Sequence, residues 1–253
     1  MQVAIVNDCS GYLHFGCDTV MKVYADEFKK RDVKIRGTIP TGRHWVQYSD
    51  LLRAVDLVVV NGEGSIHHGN FPELINIAES YPCVLVNSVF EDVPLNKNLK
   101  AFQYISVRES FSKTDMEGHG VSPEIVPDLI FAHDFQRPEV TGDRIVIDSI
   151  KASYGISPHR PNALELIGKS KEMVTGRFHG ACLALMWGMD FSAYPSNTHK
   201  TIGMLTDAGC PHLYFETQEE AEQNVQPFDG SEYVKKARQR ISEMFDKICF
   251  LTR

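Results

Sequence analysis

Paired cysteines, long apolar runs and an excess of positive charge are all missing from this 253-residue chain. Its six cysteines are scattered and form no Cys-x-x-Cys pair, which argues against a zinc site or a disulfide framework and fits a reducing compartment. No apolar run approaches the roughly 18–20 residues that span a bilayer, and the N-terminus lacks the basic segment of a signal peptide, so we expect a cytoplasmic protein. The net charge of −7 argues against nucleic acid as the main partner, because a phosphate backbone requires a basic surface.

The common nucleotide-binding motifs are also missing. The turn Gly62-Glu63-Gly64-Ser65 follows a buried apolar run, but it has neither the spacing of a dinucleotide fold nor the lysine of a P-loop. Its glycines allow a ligand to approach the backbone closely, or they serve only a tight turn that needs positive φ. Glu63 and the pair His67-His68 favour the functional alternative.

What the chain does contain is an alternation of short β-branched runs with longer helical patterns. Met21, Tyr24, Ala25 and Phe28 share one helix face, as in an amphipathic helix over residues 18–30. We predict strands at residues 3–6, 33–39, 57–60, 84–89, 104–107, 145–150, 173–174, 191–194 and 213–215, with further helices at 49–55, 161–169, 179–187, 200–208 and 231–249. This alternation is typical of α/β proteins with parallel sheets.

A proline-containing segment over residues 118–142 predicts a connector between two halves of the chain. We therefore expect two Rossmann-like lobes, residues 1–120 and 121–253, with a cleft between them. The second lobe is the shorter, and the C-terminal helix is expected to pack back on the first lobe.

The most informative motif is Thr175-Gly176-Arg177-Phe178-His179-Gly180, where a short strand passes into an apolar helix. Helix N-termini at such junctions favour anions, and Arg177 adds a positive charge. His179 can exchange a proton near neutral pH. This stretch predicts an enzyme that acts on a phosphate or a carboxylate.

Three other polar stretches follow predicted strands. Arg108 either binds a substrate carboxylate through two parallel hydrogen bonds or forms part of a surface ion pair. Lys200, close after Asn197, is either an anion ligand or a solvated lysine, and the loop after the first strand carries His14 and Asp18, the latter also able to cap a helix. Because parallel sheets bind ligands at the carboxyl ends of their strands, we expect these stretches to form one site.

Taken together, these motifs resemble the polysaccharide pyruvyltransferase family. The resemblance spans nearly the whole chain and rests on five elements in the family's order: the Gly62–Gly64 turn, Ser106–Ser110, Pro127-Asp128-Leu129, Thr175–Gly180 and Ser196–Lys200. It implies a two-lobed fold similar to GT-B glycosyltransferases. The implied activity is transfer of a pyruvyl group from phosphoenolpyruvate to a sugar, forming a cyclic ketal and releasing phosphate.

That chemistry suggests roles for the predicted residues. Arg108, Arg177 and Lys200 would pair with the phosphate and carboxylate of the donor. His179 would be the acid or an anion-binding donor, and Glu63, Asp18, His67 or His14 the base. The remaining substrate-binding candidates are Gly62, Gly64, Ser65, His68 and Asn197. The reaction requires no metal and no cofactor besides the donor.

Two other functions stay open. A GT-B-type glycosyltransferase would hold the diphosphate of a nucleotide sugar with Arg177 and Lys200. A non-catalytic sugar- or anion-binding relative would account for the shortened second lobe. The predicted partners are a small donor and a saccharide acceptor, with a peripheral membrane contact if the acceptor is lipid-linked.

Overall fold

The computed structural model describes residues 1–11, 14–149 and 155–251. The chain folds into two compact units, each built from more than one segment of sequence. Unit 1 comprises Met1–Ser10, Val20–Leu129 and Gln239–Arg253, and unit 2 comprises Gly11–Thr19 and Ile130–Arg238. The predicted boundary after residue 120 stays a prediction.

Parallel strands dominate both units, as expected for a Rossmann-like α/β protein. The strands are β1 (Gln2–Asp8), β2 (Lys34–Pro40), β3 (Leu57–Glu63), β4 (Cys83–Ser88), β5 (Tyr104–Val107), β6 (Glu124–Ile125), β7 (Gly142–Ile147), β8 (Ser170–Thr175) and β9 (Asp190–Ala193). Unit 1 has the order β2-β1-β3-β4-β5-β6, and unit 2 has β7-β8-β9.

Helices connect these strands, which the parallel pairing requires. They are α1 (Phe15–Lys30), α2 (Ser49–Arg53), α3 (Glu73–Asn76), α4 (Ser110–Glu117), α5 (Ala163–Lys169), α6 (Phe178–Trp187), α7 (Lys200–Asp207), α8 (Gln218–Gln223) and α9 (Ser231–Phe250). Short 3-10 turns lie at Trp45–Tyr48, Ile77–Glu79, Lys97–Ala101, Leu129–Ala132 and Pro211–Leu213.

The core of unit 1 lies on both faces of its sheet, because β3 and β4 are buried along their whole length. Alternate residues of a strand face opposite sides, so Ala4 and Val6 join a cluster that α2, α3 and α4 cover. An aromatic cluster joins α1 and α9, with the Phe28 and Phe245 ring centroids 5.1 Å apart. The end of the C-terminal helix therefore packs within unit 1.

Arg31 joins the end of α1 to α9 through one ion pair and one hydrogen bond to the backbone. Its Nε donates to Asp246 at 2.7 Å, and its Nη2 donates to the Ser242 carbonyl at 2.9 Å. Arg31, the residue after α1, also pairs with Glu27 of that helix. Burial opposes ionisation of Glu27, but the hydrogen bonds from Lys30 and Arg31 outweigh it and lower the pKa of that carboxyl.

In unit 2, α6 is buried on nearly every side from Phe178 to Leu185, which explains the apolar run that follows the Arg-Phe-His motif. The register pairs Ile147 with Thr175 and Thr175 with Ala193, so β7, β8 and β9 end at the same level. The turns that follow these strands therefore lie side by side at one edge of the sheet.

The predicted strand at residues 213–215 is wrong. Residues Pro211–Leu213 form a 3-10 turn, since Pro211 has no N–H for a ladder, and only Tyr214 bridges to Ala193. Prediction also missed α3, α4, α8 and the two-residue β6. Ile150, the predicted end of the strand that begins at residue 145, lies outside the described residues.

Candidate functional site

The predicted site residues divide between the two units. Unit 1 holds Gly62, Glu63, Gly64, Ser65, His67, His68 and Arg108. Unit 2 holds His14, Asp18, Arg177, His179, Asn197 and Lys200. In both units, most of these residues follow the carboxyl ends of parallel strands, where α/β sheets bind ligands.

Arg108, which follows β5, is buried and fully paired within unit 1. Its side chain is 1% exposed, with Nη2 2.6 Å from Glu63 and Nη1 3.0 Å from Asp128. Its Nε donates to the Asn87 carbonyl at 3.0 Å. Of the two alternatives for Arg108, the surface ion pair is wrong in its exposure: the guanidinium belongs to a buried ion-pair network with two carboxylates.

A chain of asparagines extends this network across the sheet edge of unit 1. The Nδ2 of Asn87 donates to Glu63 at 2.9 Å and to the Asn61 side chain at 3.0 Å. Asn61 and Asn7 then donate to each other's carbonyls, at 3.1 and 2.7 Å. Asn7, Glu63 and Asn87 have φ values of 69°, 45° and 55°. Such left-handed residues are uncommon and concentrate at functional sites.

The glycine turn begins within β3, whose last two residues are Gly62 and Glu63. The positive φ falls on Glu63 and not on Gly62 or Gly64. Gly62 is required for a different reason, since a Cβ there would lie 2.4 Å from Ser88 Oγ and 2.8 Å from its Cα. Ser65 accepts a hydrogen bond from Asn7 Nδ2 at 3.1 Å, so it belongs to the asparagine network.

The His67-His68 pair lies in the loop beyond this turn. His67 is half-buried and forms a parallel bridge with Glu91. His68 is exposed, and its Nδ1 lies 3.5 Å from Asp92. Both histidines thus contact the loop that follows β4.

Arg177 has a different environment from Arg108. Its Nε donates to Asp148 Oδ1 at 2.7 Å, and its side chain is 19% exposed. Within the described part of the chain, its two Nη groups make no hydrogen bond. Asp148 follows β7 and so anchors the guanidinium from the neighbouring strand end, leaving the two Nη groups for a planar anion.

Gly176, the residue before Arg177, is closely packed against its neighbours. A Cβ at this position would lie 2.3 Å from Ser149 Cβ and 2.7 Å from the Tyr194 ring. Ser149 Oγ donates to the Pro195 carbonyl at 2.6 Å, and Tyr194 OH donates to the Ile147 carbonyl at 2.8 Å. The ends of β7 and β9 are therefore joined over the end of β8, which holds the Arg177 backbone.

His179 lies in the first turn of α6 and is only 6% exposed. The first turn of α1 packs on its imidazole, since a Cβ on Gly16 would lie 2.1 Å from His179 Nδ1. The rings of His14 and Phe178 pack edge-on at centroid distances of 5.3 and 5.5 Å. The ring plane of His179 is thus set by its neighbours within unit 2.

His14 lies between His179 and His159, with ring centroids 5.3 and 5.0 Å away. Its Nδ1 accepts a hydrogen bond from the Cys17 amide at 3.4 Å. Burial, and then the charges of His179, His159 and Arg177, lower the pKa of His14 to about 3.

Lys200 begins α7 and is 8% exposed, so the prediction of a solvated lysine is wrong. Its Nζ donates to Asn197 Oδ1 at 2.5 Å. Asp18 has a local role, because its carboxylate lies in the first turn of α1 and accepts from the Gly11 amide at 2.9 Å. That bond connects Gly11 to the first turn of α1.

Sequence reasoning missed Asp128, Asp148 and Asn87 as members of these clusters. Asp128 stood in a motif of the family resemblance, but no role was assigned to it. Asp148 directly follows β7, but it lies inside the run of residues 145–150 that the sequence predicts to be strand. Asn87 was hidden inside a run predicted to be wholly strand.

No family model and no curated protein matches this chain. Among solved structures, an uncharacterised protein of Klebsiella pneumoniae subsp. pneumoniae NTUH-K2044 is similar, with a TM-score of 0.59 and 13% identity over 85% of this chain and 93% of that one. The likeness supports the α/β fold alone.

Two sugar-binding components of transporters show weaker similarity. A carbohydrate transporter solute-binding protein of Agrobacterium radiobacter has a TM-score of 0.34 and 11% identity over 82% of this chain and 70% of that one. An arabinose transporter component of Shewanella sp. ANA-3 has a TM-score of 0.35 and 12% identity over 83% and 70%. Among the described residues, no helix is both long and apolar enough to cross a membrane.

Proposed function

We propose that this protein transfers the pyruvyl group of phosphoenolpyruvate to a pair of sugar hydroxyls and releases phosphate. The observation that carries the proposal is the contrast between two arginines. Arg108 has its nitrogens paired within unit 1, whereas Arg177 is anchored through Nε and presents two Nη donors beside His179. A guanidinium held in this way suits an anion, and the adjacent imidazole suits proton transfer.

The reaction balances without an oxidant or a reductant. The methylene carbon of the donor gains a proton, and the first sugar hydroxyl adds to the neighbouring carbon as it loses its own proton. The second hydroxyl then displaces phosphate from that carbon, and its proton leaves with a base or with the phosphate. The products are a cyclic ketal that retains the carboxylate, and free phosphate.

In this scheme His179 is the acid that protonates the methylene carbon, or a donor to the bound anion. Glu63, Asp18, His67 and His14 remain the candidates for the base. The pKa of about 3 makes His14 a weak base at neutral pH, so it suits hydrogen bonding better than proton abstraction. A GT-B-like arrangement, a lipid-linked or free glycan acceptor, and a cytoplasmic location belong to the same proposal.

A non-catalytic sugar- or anion-binding protein is the second candidate. The observation that favours it is the near-complete burial of His179 against Gly16, which restricts approach to the imidazole. Arg177 would bind an anion equally well in such a protein. The two candidates differ only in turnover.

The test is phosphate release from phosphoenolpyruvate with a panel of sugar acceptors, with thermal shifts recorded in parallel for phosphoenolpyruvate, UDP and CMP. Acceptor-dependent phosphate release supports pyruvyl transfer. Stabilisation by phosphoenolpyruvate without release supports the binding protein. Stabilisation by a nucleotide alone would overturn both and favour a glycosyltransferase.

A further inference from the structure

Two buried hydroxyls lie beside the start of α7. Thr198 and Thr201 are 7% and 1% exposed, and the Oγ1 atom of each has no hydrogen-bond partner within the described residues. A buried hydroxyl without a partner destabilises a folded protein, so native structures contain few of them. Two such groups within one turn indicate that the turn is built to bind a polar group.

The start of α7 offers more donors at the same place. Gly203 donates the first hydrogen bond of the helix, to the His199 carbonyl at 2.9 Å, so the preceding amides lie before the intrahelical ladder. Among the residues that the structure describes, no side chain caps the N-terminus of α7. Thr198 precedes these amides in the chain, and Thr201 carries one of them. Amides and helix dipole together attract an oxyanion.

Lys200 brings a positive charge into this turn. Its side chain is buried, and its ammonium donates to the neutral amide oxygen of Asn197. Away from bulk water, the attraction between opposite charges is screened less than at the surface. An oxyanion bound at the start of α7 would therefore gain from this charge as well as from the amides and hydroxyls.

The position of α7 relative to Arg177 follows from the sheet. Because Thr175 pairs with Ala193, the turn after β9 lies beside the turn that carries Arg177. One edge of one sheet therefore presents two different anion-binding groups. The flat fork of Arg177 matches a planar carboxylate, and the clustered amides, hydroxyls and ammonium match a tetrahedral phosphoryl group.

We infer that the donor's phosphoryl group binds at the start of α7, through Thr198, Thr201 and Lys200, while its carboxylate binds Arg177. This inference rests on the proposed function for the identity of the donor.

Isothermal titration calorimetry with inorganic phosphate and with pyruvate tests the assignment on the full chain. In Thr198→Val/Thr201→Val the phosphate dissociation constant should rise on the order of tenfold or more, because contacts to a charged ligand are lost, while pyruvate binding stays within about twofold. Arg177→Gln should weaken pyruvate binding more than phosphate binding. Equal phosphate affinity in the wild type and the double variant would overturn the inference.

Matched variants separate binding from folding. Thr206→Val removes a hydroxyl from the same helix, one that donates to the Ile202 carbonyl at 2.8 Å, and should leave phosphate binding unchanged. Thr201→Ser retains the hydroxyl and should retain phosphate binding. If the double valine variant does not fold, Thr201→Val and Thr201→Ser are compared instead, and equal phosphate affinity in these two also overturns the assignment.

Two further outcomes keep this inference distinct from the proposed function. Phosphate and pyruvate could bind as described while no acceptor releases phosphate from phosphoenolpyruvate. That result would support the two anion sites and reject pyruvyl transfer. Phosphoenolpyruvate could instead turn over with the same KM in the wild type and in Thr198→Val/Thr201→Val. That result would support the transferase and reject the phosphoryl site.

Discussion

Gly16 lies against the imidazole of His179 so closely that a Cβ at position 16 would come within 2.1 Å of Nδ1. The first turn of α1 therefore packs directly against the first turn of α6 within unit 2. The glycine is needed for this contact and not for its φ, which is not positive. This contact also fixes the ring on which proton transfer is proposed to depend.

Replacing Gly16 with Ala should lower the free energy of unfolding by about 1–3 kcal/mol, because α1 must move away from His179. The double variant Gly16→Ala/His179→Ala should recover part of that loss, giving a coupling of about 0.5–3 kcal/mol in a urea-denaturation cycle. Gly142→Ala is the control, since its Cβ would make only an ordinary contact at 3.7 Å. Strict additivity of the two changes would show that the contact is absent in solution.

Arg177→Ala should weaken phosphoenolpyruvate binding by about 2–4 kcal/mol, because a charge-assisted contact is lost and the donor anion is left underpaired. The fold should persist, since the side chain is partly exposed. Arg144→Ala is the matched control, because Arg144 pairs with Glu172 in the same sheet and is proposed to bind nothing. An unfolded Arg177→Ala protein, or one with wild-type affinity by calorimetry, would remove Arg177 from the site.

His179→Gln should lower kcat by roughly 10²–10⁴-fold if the imidazole transfers a proton in the transition state. If His179 only anchors the donor, KM should rise more than kcat falls. His212→Gln, an exposed histidine in the 3-10 turn of unit 2, provides the control. Unchanged steady-state kinetics in His179→Gln would exclude both roles.

Acid should destabilise the protein partly through His14. Its folded-state pKa of about 3 lies below the usual 6.5, so the unfolded chain takes up the proton first. The contribution of His14 to stability is complete above about pH 6.5 and is lost as the pH falls towards 3, by at most about 1.4 kcal/mol per pH unit. Urea denaturation between pH 7 and 4 should show a smaller slope for His14→Gln, and identical slopes would contradict the low pKa.

Arg108→Met should lower the free energy of unfolding by about 3–5 kcal/mol, because Glu63 and Asp128 would keep buried charges without their partner. Adding Glu63→Gln and Asp128→Asn removes those charges and should recover much of the loss. Chemical denaturation of the single and triple variants measures both effects. If Arg108→Met is as stable as the wild type, Arg108 does not pair with Glu63 and Asp128 as described.

Much of the fold was predictable because the strands and helices of parallel α/β proteins have characteristic hydrophobic patterns in the sequence. Strands β1, β3 and β4 are buried on both faces, so they appear as continuous apolar runs, and α1 repeats its apolar residues at helical spacing. The two-residue β6 has too few residues to show a period. The Leu213–Phe215 run was misassigned because it is apolar, although the preceding proline makes a 3-10 turn there.

The sequence by itself determined the chemistry available to this protein: an arginine and a histidine two residues apart at the end of a strand, followed by an apolar helix. Only the tertiary structure decided which charges are already paired. Arg108 and Arg177 both follow strands, yet Asp128, Glu63 and Asn87 surround the first, and Asp148 anchors only the Nε of the second. Those partners lie far along the chain, and pairing across strand ends depends on sheet order and register, which local sequence patterns do not encode.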